Sequence, residues 1–284
     1  PVINCMAEVS LNHIFTSSTK LLQWQHVNLK DKIINFVVAY NKNSGEFDAI
    51  LGFIPTSQYD FNIKNRDIWL AIWKVKEGFA STGIGLQVLL FLNSNYKASS
   101  VGVSGVSEDA MKIYKAFRYK TGILNHFYIK NDSFTDYSIA SFNKINNVSH
   151  STNSNIDIKQ ITDEEFLSSN ISCQYTPYKT KDYYINRYYN NSFYEYTFNA
   201  IVIKNTIIGV FITRKIIVDK AACIRIVDWI GDYSKNLYHE FQKLLQKNDA
   251  EYIDFLCKIP NEDEIGEMGF LEKNNDHEVI PNYF

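Results

Sequence analysis

The sequence predicts an α/β fold with mixed sheets, built as two tandem copies of one unit. Three observations carry this. Short β-forming runs alternate with stretches of helical spacing along the whole chain. Two of the strands are apolar on both alternating faces, the mark of a central strand covered on both sides. The order of elements restarts after a polar, Asn/Ser-rich stretch near the middle of the chain.

The first copy opens with Ile33–Tyr40, a strongly β-forming run, and 48–54 (DAILGFI), joined through a turn-rich loop as a hairpin. Residues 67–75 (DIWLAIWKV) form the double-faced central strand. A Gly turn at 78–85 then breaks into a helix over Leu86–Tyr96. A short strand at 99–106 leads to a second helix over 107–117, with Ser107 as its N-cap and acidic residues in the first turn. A strand at 124–129 closes the copy. Residues 143–157 have no periodicity and serve as the linker. After it come a capped helix start at Thr162 with Glu165, a hairpin over 198–216, a buried strand at 223–231, a helix at 234–247, a strand at 251–259 and a helix ending on a Gly at 264–270. Gly52 matches Gly209 and Tyr119 matches Phe270, at separations of 157 and 151 residues. The expected domains are 1–142 and 158–284, with 143–157 between them.

Bulk properties narrow the function. The chain has 284 residues, 45% hydrophobic and 21% charged, enough for two ordinary globular domains. A net charge of −2 creates no field for nucleic acid or an anionic membrane. The four cysteines form no C-x-x-C pair, so neither zinc spacing nor a disulfide framework is present, and no metal is expected. Cys223 and Cys257 lie in apolar runs and are expected in the core. No apolar run has the length of a membrane span and no signal peptide is visible, which makes the cytoplasm the expected location.

Gly83-Ile84-Gly85 between the central strand and a helix is the motif with chemical content. Backbone N–H groups at a helix start carry partial positive charge, and glycine admits a close approach to a diphosphate. The order hairpin, central strand, Gly turn, helix, strand, helix, strand resembles the GNAT acyltransferase superfamily. Its pyrophosphate signature, Gln/Arg-x-x-Gly-x-Gly/Ala, stands here as Ala80-Ser81-Thr82-Gly83-Ile84-Gly85, with Ala80 in place of Gln or Arg. A later element of the family, Asn-x-x-Ala with a helical Tyr and a final Gly-Phe, appears as Ser107 to Ala110, then Tyr114, then Arg118-Tyr119. Ser107 replaces the Asn and Arg118 replaces the Gly. The wider strings LLQWQHVN, ILGFIPTSQYD, IWLAIWKV and IYKAFRYKTGILNHFYI resemble GNAT-like proteins of bacterial surface-polysaccharide and lipopolysaccharide biosynthesis.

The resemblance implies an acyl-CoA-dependent N-acyltransferase. Acetyl-CoA, or another acyl-CoA, would be the cosubstrate, and a nucleotide-linked amino sugar the partner. Thr82, Gly83, Ile84, Gly85 and Leu86 would supply amides to the pyrophosphate, joined by Ser107 and by backbone near Trp73–Val75 as the oxyanion donor. Tyr114 would protonate the departing thiolate. For the base, His126, His26 and a water-relayed Asp60 stand as alternatives, a histidine being suited to neutral pH. The second copy has no G-x-G after its central strand and is expected to take no second CoA. It is expected to wall the acceptor cleft instead. Within its Tyr-rich stretch 175–191, Lys179, Tyr183 and Arg187 suit a sugar diphosphate and a stacked base. As an amphipathic helix, the same stretch would pack its tyrosines inward. Two further readings stay open: a tRNA-dependent aminoacyltransferase of the peptidoglycan-bridge type, and a non-catalytic GNAT-like ligand sensor or scaffold.

Overall fold

Sheets of two, four and seven strands organise the described residues of the computed structural model, which are 5–6, 14–28, 32–79, 82–142, 155–173, 175–259, 263–273 and 277–282. The chain divides into two compact units, Pro1–Tyr119 with Tyr175–Tyr184, and Lys120–Gln174 with Ile185–Phe284.

The first unit begins with helices α1 (Ile14–Ser17) and α2 (Thr19–His26), then the short strands β1 (Val27–Asn28) and β2 (Ile33–Ile34). Its main sheet has the order β3-β4-β5-β6, formed by Phe36–Asn41, Glu46–Pro55, Asp67–Val75 and Ser100–Val103. Strands β3 to β5 are antiparallel and β6 runs parallel to β5. Parallel pairing needs a crossover, and helix α3 (Ile84–Tyr96) supplies it. Val88, Leu89 and Leu92 of α3 pack on Ala49, Leu51, Ile68 and Leu70 of the sheet, together with Tyr114 from helix α4 (Glu108–Ala116). Ser107 caps α4 as expected, accepting from the Ala110 N–H at 3.4 Å. Helix α6 (Lys181–Tyr184) also belongs to this unit.

The second unit holds a seven-stranded sheet of order β13-β7-β12-β11-β10-β9-β8. Its strands are β7 (Asn125–Lys130), β8 (Ile156–Gln160), β9 (Thr197–Ile203), β10 (Thr206–Val218), β11 (Ala221–Gly231), β12 (Tyr252–Cys257) and β13 (Leu271–Glu272). Strands β9 to β12 repeat the order and directions of β3 to β6. Helices α5 (Asp163–Ser168), α7 (Tyr238–Lys247) and α8 (Asp263–Glu267) complete the unit. The expected capping box at Thr162 and Glu165 opens α5, with both reciprocal bonds present. Cys223 and Cys257 lie in the core.

The division differs from the expected one at two places. β7 pairs with β12 from Tyr252↔Lys130 to Cys257↔Asn125 and with β13 on its other edge. This hydrogen bonding places residues 120–142 in the second unit, and the boundary falls after Tyr119 rather than at 142. Residues 175–184 fall in the first unit, where Thr180 donates to Asp60 and Tyr183 packs on Tyr59. Most of the expected linker, 143–154, lies outside the described residues.

The repeat extends to individual hydrogen bonds. At the end of α4, Arg118 N–H donates to Lys115 C=O and Tyr119 N–H to Tyr114 C=O. At the end of α8, Gly269 N–H donates to Gly266 C=O and Phe270 N–H to Ile265 C=O. Arg118 and Gly269 both have positive φ, at 60° and 105°. The Gly missing from the first motif is therefore replaced by an arginine held in the left-handed conformation that a glycine adopts freely.

Candidate cofactor site

The site is built where β5 outruns its neighbour. Pairing with β6 ends at Leu70↔Val103, while β5 continues to Val75. The register on the β4 side slips at the same point: Gly52 faces Ile72 and Phe53 faces Leu70, so Ala71 is a bulged residue. Bulges bend a strand and re-aim its groups. Beyond the bulge, Lys76 N–H donates to Asp48 C=O at 2.8 Å. Antiparallel alternation then turns the N–H and C=O of Trp73 and Val75 away from β4, toward the side that β6 has left. Val75 thus lies on an edge whose N–H and C=O face away from β4.

The α3 turn sits at the end of that edge. Gly83 is the N-cap of α3, with φ +74°, and among the described residues a Cβ built there would meet nothing within 4 Å. It faces open space with exposed Thr82 beside it. Ile84, Gly85 and Leu86 form the first turn of α3, whose N–H groups lack acceptors within the helix. The Thr82 N–H, expected to serve a pyrophosphate, donates instead to the Phe79 carbonyl at 3.1 Å, while Thr82 Oγ1 lies 3.4 Å from the Ile84 N–H, a long bond that leaves that donor weakly committed. Ala80 and Ser81 lie outside the described residues.

Gly85 has a packing duty beside the amide expected of it. It is buried, and a Cβ there would fall 2.8 Å from Val75 Cγ2 and 3.5 Å from Trp73 Nε1. Its bare Cα faces the strand, not a ligand, and lets α3 pack close to β5. Trp73 Nε1 donates to the Gly85 carbonyl at 3.0 Å and fixes that approach.

Tyr114 joins the same group. Its ring lies 5.7 Å from that of Trp73 and 5.6 Å from that of Tyr119, and it is 4% exposed. Burial, with the neighbouring Tyr119, pushes its phenol up to about 12. The phenol therefore keeps its proton at neutral pH. The Tyr119 hydroxyl accepts from Asn93 Nδ2 at 3.1 Å, a brace between α3 and the end of α4.

The other expected site residues are placed elsewhere. Ser107 spends its hydroxyl on the α4 cap. His26 is wholly buried against Phe15 and Phe36, with Nδ1 3.2 Å from the Phe53 carbonyl. Asp60 accepts from the Asn62 N–H and from Thr180 Oγ1, which commits both carboxylate oxygens. His126 belongs to the second unit, where Nε2 lies 2.8 Å from Asp254 Oδ2; Asp254 also receives two hydrogen bonds from Arg225. Tyr183 is 2% exposed, packed on Tyr59 and Tyr184, so it offers no face for stacking a base. This corrects its expected role: the tyrosine packs inward. Lys179 lies over Tyr183 and Tyr184 in the first unit, and Arg187 over Tyr188 in the second.

In the second unit, β11 likewise outruns its pairing with β12, which ends at Ile226↔Phe255. Here Trp229 of β11 stacks on Phe211 at 5.2 Å and on Phe255 of β12 at 6.1 Å, with Tyr233 tilted against it. Aromatic rings bridge the strands where they part. Helix α7 starts after Leu237 in a right-handed conformation, without a glycine turn. Ile265 stands at the Tyr114 position of the repeated cap.

Among the described residues, no group of three or more His, Cys, Asp or Glu side chains is placed to hold a metal ion, and no helix is long and apolar enough to cross a membrane. The donors of the α3 turn, the open space before Gly83 and the outward edge of β5 fit a diphosphate-bearing cofactor with an extended arm.

No family model matches this sequence, and no curated protein matches it. Solved structures do. A GCN5-related N-acetyltransferase from Anabaena variabilis is 12% identical with a TM-score of 0.54, covering 91% of this chain and 63% of its own. This chain therefore spans less than two thirds of that protein's length. A GCN5-related N-acetyltransferase from Sphaerobacter thermophilus is 10% identical at TM-score 0.46, over 86% of this chain and 78% of its own. A tandem GNAT protein from the clavulanic acid biosynthesis pathway is 10% identical at TM-score 0.46, over 84% and 80%. The first of these, with the internal repeat, carries the conclusion: the chain has the fold of the GCN5-related N-acetyltransferases, in two tandem units.

Proposed function

We propose that the first unit binds an acyl-CoA, acetyl-CoA in the first instance, and transfers its acyl group to an amine. One observation carries the reading: among the described residues, β5 presents an unpaired edge beyond the bulge at Ala71, ending at a helix N-terminus with open space before Gly83. The cosubstrate would bring the thioester. Gly83, Ile84 and Leu86 would hold its diphosphate through backbone N–H groups. The outward N–H groups of Trp73 and Val75 would donate to the acyl carbonyl oxygen as it gains negative charge. Tyr114 would donate to the sulfur. The second unit, with aromatic rings between its parting strands and no glycine turn, would take no CoA.

The acceptor is the finer part of the proposal. A nucleotide-linked amino sugar, within surface-polysaccharide synthesis, follows from the sequence resemblance, with Lys179 of the first unit as a candidate contact to its diphosphate. Purified chain with acetyl-CoA and a panel of such sugars, followed by thiol release, tests it. Lys179→Ala is then expected to raise the acceptor KM alone.

The cofactor assignment has a cleaner test. Gly83→Asp and Gly83→Asn impose the same backbone cost, both residues tolerating a left-handed conformation. Only Asp places a negative charge in the open space. Acetyl-CoA affinity should fall much further in Gly83→Asp; equal affinities would overturn the assignment.

A further inference from the structure

The first unit carries a cavity of about 340 Å³ that the acyl-transfer reading does not use. It lies beside Tyr96, at the C-terminal end of α3. Gly83 marks the other end of that 13-residue helix, about 18–20 Å away at 1.5 Å per residue. The cavity and the glycine turn are therefore separate places.

Its lining has one sign of charge. Lys64 and Arg66 contribute two cations, and no acidic side chain lines it among the described residues. Neither cation enters an ion pair among those residues. The Arg66 guanidinium lies 4.6 Å from the centre of the Tyr96 ring, a stack that holds its planar fork in place. Phe53 packs edge-on against the other partner of that stack, Tyr96, at 5.2 Å. Ile33 and Ile63 add further apolar wall. Asn35 stands in the wall with its amide nitrogen donating to Gln58 Oε1 at 2.8 Å.

The loop that carries the cations is tied at both ends. Asp60 accepts from the Asn62 N–H and from Thr180, and its carbonyl accepts from Ile63 N–H. At the far end, Arg66 N–H donates to Ser99 Oγ, and Ser99 N–H donates to the Arg66 carbonyl. A tethered loop loses little freedom when a ligand arrives, which favours binding.

We propose that this cavity is a second ligand site, taking a small molecule with an anionic head, carboxylate or phosphate, on an apolar body. Cations without acidic partners select the head, a bidentate arginine suiting either oxyanion. The apolar wall selects the body. The same cations repel an ammonium, which separates this site from one that receives an amine.

Titration of the whole chain with hexanoate, hexyl phosphate and hexylamine, by calorimetry and ligand-observed NMR, tests this. At least one of the two anions should bind, the tighter naming the head, and hexylamine should not. The K64Q/R66Q double variant should weaken anion binding at least tenfold, and K64Q alone at least threefold, with acetyl-CoA binding unchanged. Both side chains are exposed, so neither change empties the core. Binding of hexylamine as tight as hexanoate, anion binding that survives K64Q/R66Q, or binding of neither anion would each overturn the proposal.

Discussion

A Cβ on Gly85 would fall 2.8 Å from Cγ2 of Val75, inside any normal carbon–carbon contact. Valine is stiff at χ1 and cannot swing clear, so the strand or the helix must move. Gly85→Ala should therefore destabilise the first unit by about 1–3 kcal/mol, the usual cost of overpacking. Chemical denaturation checks this. An unchanged midpoint would mean that α3 is not held against β5 in this way.

Arg118 has φ +60° in the cap where the second unit uses Gly269. A left-handed conformation costs a non-glycine residue about 1–2 kcal/mol, offset in part by the extra freedom glycine gains when unfolded. Arg118→Gly should thus stabilise the chain by about 0.5–1 kcal/mol. Gly269→Ala should do the reverse, since its Cβ would meet Tyr238 at 2.8 Å. Destabilisation by Arg118→Gly in a denaturant melt would show that the arginine side chain contributes more than its backbone costs.

Burial raises the Tyr114 phenol to about 12, above its ordinary value near 10. The folded state then holds a proton that the unfolded state releases between these values. The contribution is complete below pH 10 and is lost as pH climbs toward 12. Tyr114→Phe should flatten the alkaline fall in stability and leave acetyl-CoA binding intact. As a donor to the leaving sulfur, its removal should lower kcat roughly 10²–10⁴-fold. No alkaline limb attributable to Tyr114 should appear in kcat below pH 10. Near-native kcat in Tyr114→Phe would remove the residue from the mechanism.

Asp254 is fully buried and shared by His126 and Arg225. His126→Ala removes one of its partners and should cost about 1–3 kcal/mol, the range for disturbing a buried charged group. Acetyl-CoA affinity should not change. A loss of two orders in kcat at unchanged stability would instead assign His126 the base role.

Much of this was legible in the sequence because it is local. The Gly turn, the Ser107 and Thr162 caps and the two hairpins each follow from residues within a few positions of one another. The bulge was not legible: a strand apolar on both faces hides the slip at Ala71, which shows only in the core-facing run Ile68, Leu70, Trp73, Val75. The fate of β7 was not legible. Its pattern marks a strand, but its partners Tyr252–Cys257 are set by tertiary pairing far along the chain. The two uses of Gly85, close approach to a ligand or to a strand, demand the same residue. Only Val75 and Trp73 on its bare side decide between them. Tyr183 fails as a ligand contact for a similar reason, since a tyrosine ring suits a ligand or the Tyr59 and Tyr184 rings equally well.

The most direct test of the central claim is amide NMR of the whole chain during titration with acetyl-CoA. The N–H signals of Gly83, Ile84 and Leu86 should shift most, with those of Trp73 and Val75 on the β5 edge. Shifts confined to the second unit around Asp232–Tyr238, or no shifts at saturating acetyl-CoA, would contradict it.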